Sequence, residues 1–300
     1  MKVLLLGKNG QLGWELQRAL VPLGELIALD RSGQYNHQML CGDLTDLKGL
    51  RQTVIALQPD VIVNAAAYTA VDKAESEPQL AQLINEQASK VLAEEALKIG
   101  AWLVHYSTDY VFDGSGNKAW CENDVTEPLS QYGQTKLAGE QAIQNSGCKH
   151  LIFRTSWVYG SRGNNFAKTM LRLASERETL SVIDDQTGAP TSAALLADCT
   201  AHAIFQAARN PQLVGLYHLA ASGQTTWYEY ANLVIEHAKA IGKELTVNKV
   251  IPINTSDYPT AATRPQNSRL NTKKFCERFN LVLPEWQQGV IRMLHETIDN

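Results

Sequence analysis

A short apolar run, Lys2-Val3-Leu4-Leu5-Leu6, stops at Gly7-Lys8-Asn9-Gly10-Gln11-Leu12-Gly13, and a helical pattern begins at once. A strand that is apolar on consecutive residues must be covered on both faces, as strands of parallel sheets are. Leu12, Leu16, Ala19, Leu20 and Leu23 recur at helix spacing until Pro22 and Gly24 interrupt them, and Leu26-Ile27-Ala28-Leu29 reads as a second strand closed by Asp30. Strand, glycine turn, helix, strand and acid in this order are the context of a dinucleotide fingerprint. The glycines allow a tight turn and a close backbone approach to a pyrophosphate, which sits on the amides of a helix N-terminus. On this reading Gly7, Gly10, Gln11, Leu12 and Gly13 line a cofactor. Asp30 follows the turn at close to the roughly 20-residue interval at which an acid meets ribose hydroxyls. Arg31 offers a guanidinium to a 2′-phosphate, so NADH and NADPH both stay open. The plainer alternative for Asp30 is an aspartate that ends a strand in a turn.

The same alternation continues. Leu47, Leu50, Val54, Ile55 and Leu57 suggest a helix ending before Pro59, and Asp60-Val61-Ile62-Val63-Asn64 is a buried strand running into Ala65-Ala66-Ala67. Three small residues at a strand's C-terminal end leave room where open α/β sheets place their ligands. A helix is expected from about residue 78 to 99. Ala101-Trp102-Leu103-Val104-His105-Tyr106 then forms a fourth central strand, which ends in Ser107-Thr108-Asp109. A loop over residues 113–128, long enough for a substrate-side lid, leads to the helix that carries Tyr132-Gly133-Gln134-Thr135-Lys136. Leu151-Ile152-Phe153-Arg154-Thr155 is the fifth strand. The expected architecture is α/β, a doubly wound parallel (Rossmann) sheet with a smaller C-terminal α/β substrate-binding lobe. The expected division is 1–156 for the dinucleotide-binding domain and 157–300 for the substrate lobe, with about 189–219 packing back on the first domain.

Tyr132 and Lys136, four residues apart, share one helix face and can converge on one reacting oxygen. A phenol is a poor acid near neutrality unless a nearby ammonium favours the phenolate. At about 4 Å and an effective dielectric near 20, the pair would interact by about 4 kcal/mol, bringing the phenol toward about 7. Thr108 at its strand end can hydrogen-bond the same substrate oxygen. The catalytic candidates are therefore Tyr132, Lys136 and Thr108.

Beyond Trp157 the alternation breaks into shorter elements. The loop holding Arg264 and Arg269 could bind a substrate diphosphate or could be a connecting loop with surface arginines. A net charge of −4, with 27 scattered basic residues, gives no nucleic-acid stripe and no anionic-membrane surface, and small soluble ligands are expected. Met1 to Leu6 is too short for a signal segment and no run approaches a membrane span of about 20 residues, so a cytoplasmic location is expected. The five cysteines lack a Cys-xx-Cys pair and the seven histidines lack a ligand pattern, so metal chemistry at the reacting centre is not expected.

The glycine turn, the Ser-Thr strand end and Tyr-xxx-Lys resemble the extended short-chain dehydrogenase/reductase superfamily. Further blocks make the chain similar to the dTDP-4-dehydrorhamnose reductase family within it. They are Gly10-Gln11-Leu12-Gly13-Trp14-Glu15-Leu16, Thr69-Ala70-Val71-Asp72-Lys73-Ala74-Glu75, Ser107-Thr108-Asp109-Tyr110-Val111-Phe112, Arg154-Thr155-Ser156-Trp157-Val158-Tyr159, Asn164-Asn165-Phe166, Gly188-Ala189-Pro190-Thr191 and Arg264-Pro265 with Asn267-Ser268-Arg269-Leu270. The resemblance implies reduction of the 4-keto group of a dTDP-linked 6-deoxyhexose, with Tyr132 as proton donor, Lys136 on the nicotinamide ribose and Thr108 tuning the hydrogen bonds. It also implies cofactor contacts at Gly10, Gln11, Leu12, Asp30, Asp43, Leu44, Ala65, Ala66 and Ala67, and a sugar side formed by Thr108, Asp109, Trp157 and Asn165. The alternatives are a related nucleotide-sugar epimerase or dehydratase, and a non-catalytic subunit of the same fold.

One position departs from the pattern. Some members form a dimer bridged by Mg²⁺ through glutamates; Glu15 and Glu296 match two of those positions, but the third is Ala194. Loss of a carboxylate removes a hard oxygen ligand and a charge. The expectation is a weakened or absent Mg²⁺ site and a monomer or weak homodimer.

Overall fold

The computed structural model describes residues 1–35 and 38–298; residues 36–37 and 299–300 lie outside the described set, so the expected second lobe is described to residue 298. Strands β1 (Lys2–Leu6), β2 (Glu25–Leu29), β3 (Val61–Asn64), β4 (Trp102–Thr108), β5 (Lys149–Thr155) and β6 (Gly215–His218) form one parallel sheet in the order β6-β5-β4-β3-β1-β2. This is the doubly wound sheet expected from the alternation. Val3 and Leu5 point into one apolar core and Leu4 and Leu6 into another, and all four are fully buried. The period of two thus sends alternate side chains to opposite faces, and both faces are covered. Helix α1 (Gln11–Leu20) and the helices Ala193–Ala207 and Lys273–Phe279 cover the first face. The second is covered by α2 (Leu47–Leu57) and α3 (Ala88–Ile99), joined near the sheet edge by α4 (Gln131–Ser146) through Ile143.

The second lobe has its own core. The helices Phe166–Glu176, Trp227–Ala240 and Trp286–Ile298 pack with the parallel pair Thr179–Ile183 and Lys249–Ile253 around Met170, Leu180, Val234 and Val290. Between its elements the chain returns to the first core through Leu196, Ile204, Leu213 and Tyr217.

Two local expectations change. The helix expected over 78–99 is interrupted: a turn of π-helix at Leu83–Gln87 separates Pro78–Gln82 from α3. The loop expected as a lid is tied down, because Trp120 stacks on Phe112 at 4.6 Å, receives a hydrogen bond from Asn271 N and donates its own amide to Arg269 O.

Helix α4 is pinned to β5 by a buried ion pair. Arg154 Nε donates to Glu140 Oε1 at 2.9 Å and Nη2 to Oε2 at 2.6 Å, with the side chains 5% and 1% exposed. Such a pair stabilises little against an apolar substitute, but removing one partner leaves a buried charge uncompensated. Glu140→Ala should therefore lower the unfolding free energy by about 3–5 kcal/mol, and adding Arg154→Met should recover most of the loss. Urea denaturation of the three proteins checks this; equal midpoints for the single and double variants would contradict it.

Candidate active site

Leu6 of β1 pairs with Asn64 of β3, while β2 lies on the other side of β1, so the connections diverge at this point and leave a crevice at the strands' carboxyl ends. The glycines at the crevice divide by role. Gly7 has φ +88°, and a Cβ on it would come within 2.8 Å of Ala66 N; a Cβ on Gly13 would lie 2.0 Å from Gly7 O. Both are demanded by the backbone turn and by the close seat of α1 on β1. A Cβ on Gly10 would meet only Gly7 O at 3.5 Å, so that position leaves open space instead. Gly10 is the N-cap of α1 and makes no side-chain cap, which leaves the amides of the first turn, Gln11 and Leu12 among them, without a capping side chain. An uncapped helix start beside the partly buried Ala65, Ala66 and Ala67 fits a dinucleotide pyrophosphate.

Asp30 sits at the end of β2. Its carboxylate accepts from Asn9 Nδ2 at 2.7 Å and from Ser32 Oγ at 2.6 Å, and Lys8 Nζ lies 3.6 Å away. The Ser32 hydroxyl, with Asn9 and Lys8, holds Asp30 below the usual aspartate range. Asp30 closes a turn and presents an anion beside the glycine loop. Arg31 is exposed beside it. Asp43 accepts from Thr45 N and Oγ1, and the buried Leu44 packs in the α2/α3 core. The backbone at Gly42 runs against Asp30 O, which brings the Asp43 turn to the same crevice.

Thr108 ends β4 and Tyr132 stands in the first turn of α4, whose N-cap Ser130 accepts from Gly133 N at 3.2 Å. A Cβ on Gly133 would lie 2.3 Å from Tyr110 O, so glycine there lets the helix start settle on the residues just past Thr108. The Thr108 hydroxyl accepts from Tyr110 N and donates to Asp109 Oδ1, both at 3.2 Å. Lys136, one turn on, is 2% exposed; its Nζ donates to Tyr106 O at 2.5 Å and lies 3.2 Å from His105 Nε2.

The electrostatics differ from the expected pairing. Burial, and then the Asp109 carboxylate, push Tyr132 up to about 12, with Thr108 opposing; Lys136 is not among the causes. Burial pulls Lys136 itself down to about 8 against Glu140. The expected descent of the phenol toward 7 does not occur, because desolvation of both groups outweighs a Coulomb attraction that the ammonium spends on the β4 strand. The phenol is consequently protonated at neutral pH. Asp109 is pushed up to about 7 by burial, with hydroxyls of Ser268 and Thr108 opposing. Seven buried side-chain polar atoms among the described residues have no hydrogen-bond partner, and Ser107 Oγ, Asp109 Oδ2 and Thr155 Oγ1 lie at this rim. A polar ligand would satisfy them.

On the far side of the crevice Trp157 adopts φ +49°, a strained conformation for a bulky residue, and stacks on Trp227 with centroids 3.6 Å apart. Gly188 makes this possible, since a Cβ there would strike the Trp157 ring at 2.7 Å. Asn165 caps the helix Phe166–Glu176 through Lys168 N, and its Nδ2 donates to Gly160 O and to Gln11 Oε1, so it joins the second lobe to α1. Arg264 forks onto Asp72 at 2.7 and 3.2 Å; burial works against its charge, but Asp72 and Tyr110 raise its pKa. Arg269 contacts the neutral amides of Asn267 and Gln224. Of the two arginines, Arg269 thus keeps an uncompensated charge among these contacts.

Three polar residues escaped the sequence reading. Asn85, in the π-turn, accepts from Tyr68 N at 2.9 Å and donates to Thr135 Oγ1 at 3.1 Å, which seats α4. Asn64 and His105 line the approach to Lys136. The end of an apolar strand was the one signal available for Asn64. Glu15 pairs with Arg18 and Glu296 with Arg292, and among the described residues no group of three or more His, Cys, Asp or Glu gathers.

Asp109 generates a pH prediction. Between about pH 4 and 7 the folded protein keeps a proton on Asp109 that the unfolded chain releases, so its contribution to stability falls as pH rises through that window. Asp109→Asn should flatten the pH dependence of unfolding free energy there, by no more than about 4 kcal/mol. Denaturant titrations at pH 4, 5.5 and 7 read the difference; parallel curves for the two proteins would contradict the assignment.

The family model described as the RmlD substrate binding domain matches residues 1–298. The dTDP-4-dehydrorhamnose reductase of Escherichia coli (strain K12) is 61% identical over 297 residues, covering 99% of this chain and 98% of that protein. A protein of the same name from Burkholderia thailandensis is 44% identical over 97% of each chain. The crystal structure of dTDP-4-dehydrorhamnose reductase from Bacillus anthracis in complex with NADP is similar with a TM-score of 0.86 at 37% identity, over 99% of both chains. A family match across nearly the whole length, on a parallel sheet whose rim gathers Thr108, Tyr132 and Lys136, leaves one assignment: the chain belongs to the RmlD family of dTDP-4-dehydrorhamnose reductases.

Proposed function

We propose that this chain reduces the C4 ketone of dTDP-4-dehydro-L-rhamnose to give dTDP-L-rhamnose, with NADPH or NADH as reductant. The observation that carries the reading is the seat of the start of α4, which bears a protonated Tyr132 phenol and Lys136 one turn on, against the end of β4, which bears Thr108. The NADP-bound relative supports a nicotinamide cofactor, and Lys8 and Arg31 beside Asp30 favour an added phosphate on its ribose. Residues 1–156 would hold the cofactor, and 157–300 would supply most substrate contacts, with about 189–219 packed on the first domain. No helix among the described residues is long and apolar enough to cross a membrane, and we place the reaction in the cytoplasm.

When bound, a reduced nicotinamide supplies the hydride. The chain's own groups manage the proton. As the carbonyl oxygen gains charge, Tyr132 donates its phenolic proton to it, and Thr108 orients both oxygens through its hydroxyl. Lys136 would hold the nicotinamide ribose, and its charge would favour the phenolate once the proton has gone. Asp109 and Trp157 bound the sugar side, and Arg269 is the better placed of the two arginines for a diphosphate. With Ala194 in place of a third carboxylate, the protein would work as a monomer or weak homodimer without a bridging Mg²⁺.

Mixed with NADPH and dTDP-4-dehydrorhamnose, the protein should remove reduced-nicotinamide absorbance in proportion to the sugar added. A folded, cofactor-binding protein that consumes none would sink the reductase reading; an epimerase or dehydratase, which regains its hydride, predicts that outcome. Tyr132→Phe should lower kcat by about 10²–10⁴-fold while the NADPH dissociation constant stays within about twofold. Unchanged turnover would remove Tyr132 from the role of acid.

A further inference from the structure

Lys136 is the one lysine with a buried side chain among the described residues, and it makes none of the ion pairs seen there. Glu140, one turn along α4, is taken by Arg154 of β5. Lys136 Nζ is left with the Tyr106 carbonyl, which can only accept, and with His105 Nε2, which can accept or donate. His105 is itself enclosed: it is 1% exposed, and its Nδ1 faces Asn64 Nδ2 at 3.4 Å. Asn64 Oδ1 in turn accepts from Ala66 N at 3.3 Å, at the cofactor rim. A continuous polar chain therefore runs from the backbone of the alanine rim through Asn64 and His105 to Lys136.

The donor and acceptor count leaves two arrangements, which differ in whether Asn64 also serves the Ala66 amide. With Asn64 donating to Nδ1, the ring proton sits on Nε2 and points at Lys136 as an amine. With Lys136 as an ammonium, Nε2 accepts, the proton moves to Nδ1, and Asn64 turns its oxygen to the ring and releases the Ala66 amide to the cofactor rim. The imidazole is neutral in both. We infer that His105 is a positioning residue for Lys136: a neutral ring fixed between Asn64 and the Lys136 nitrogen, whose tautomer follows the lysine's charge and holds that nitrogen at the cofactor rim. Burial and the facing Lys136 charge both depress the His105 pKa, which keeps the ring neutral across the working range. The groups facing the ring are Lys136 from α4 and Asn64 from β3; the Tyr106 carbonyl of β4 faces the Lys136 nitrogen, and Glu140 and Arg154 are engaged by each other. The inference rests on the reading that Lys136 serves the nicotinamide ribose.

The test compares His105→Phe, which keeps ring size and loses both nitrogens, with His105→Gln, which restores an amide able to serve Nζ. NADPH binding is read by fluorescence, and kcat with the sugar nucleotide. His105→Phe should weaken NADPH binding by roughly ten- to a hundredfold and lower kcat, because it strands the buried Lys136 nitrogen, and His105→Gln should recover most of both. A folded His105→Phe within twofold of wild type, or a His105→Gln no nearer to wild type than His105→Phe, would overturn the proposal. If His105→Phe does not fold, ¹⁵N NMR of the unsubstituted protein decides: a neutral ring at pH 7 whose Nε2 signal moves in Lys136→Met supports it, and an imidazolium or an unmoved signal refutes it. NADPH binding and the ring signals need no sugar, so a wild-type protein inactive on dTDP-4-dehydrorhamnose would cost the proposed function while leaving these readouts intact.

Discussion

The buried pair of Arg154 and Glu140 holds the helix that carries Tyr132 and Lys136 against the sheet that carries Thr108. Much of the site's geometry depends on that seat. Gly133 and Gly139 allow the approach, since a Cβ on either would lie 2.3 Å from a backbone oxygen, of Tyr110 and of Asn85 respectively. Asn85 then ties the other side of α4 through Thr135. The helix is thus located by one charge pair, two missing methyl groups and one amide, and its exposed face is left polar.

Burial then sets the chemistry. Tyr132, Lys136, Asp109 and His105 are each shifted toward their neutral forms by desolvation first, with neighbouring charges second. A site in this condition holds a protonated phenol, a lysine that gives up its charge more readily than one in water, and a carboxyl group near its midpoint at neutral pH. Such groups respond strongly to any charge brought among them, because the low dielectric that raises their desolvation cost also strengthens each new interaction. A chain of hydrogen bonds that adjusts with the lysine's charge, as at Asn64 and His105, keeps the Lys136 nitrogen partnered in either state and passes the change on to the Ala66 amide.

The two lobes meet through specific contacts. Asn165 spends its amide on Gln11 and Gly160, and Arg162 lies over the Trp14 ring at 3.9 Å, so the loop 160–165 rests on the helix that starts at the cofactor turn. The strained Trp157 backbone, held by Gly188 and Trp227, fixes a flat aromatic surface on the opposite wall. Strain of this kind persists where surrounding contacts overdetermine it, and it tends to mark functional positions.

The sequence by itself determined the sheet, the glycine turn and the spacing of Tyr132 and Lys136, because each is a local property: apolar runs need two covers, a left-handed turn needs glycine, and i, i+4 residues share a face. It also placed Thr108 and the alanines at strand ends, from which their common rim follows once the strands run parallel. Only the tertiary structure decided what those groups feel. The pKa of Tyr132 turns on burial and on where the Lys136 nitrogen points, and the partners that settle this, His105, Tyr106 O and Asn64, come from strands remote in the chain. Similarly, Asn165 reads as a substrate contact by motif but has its hydrogen bonds committed to a cap and to Gln11, and the π-turn at Leu83–Gln87 leaves no mark in the periodicity. Long-range hydrogen bonding and desolvation depend on which segments pack together, a quantity no window of sequence contains.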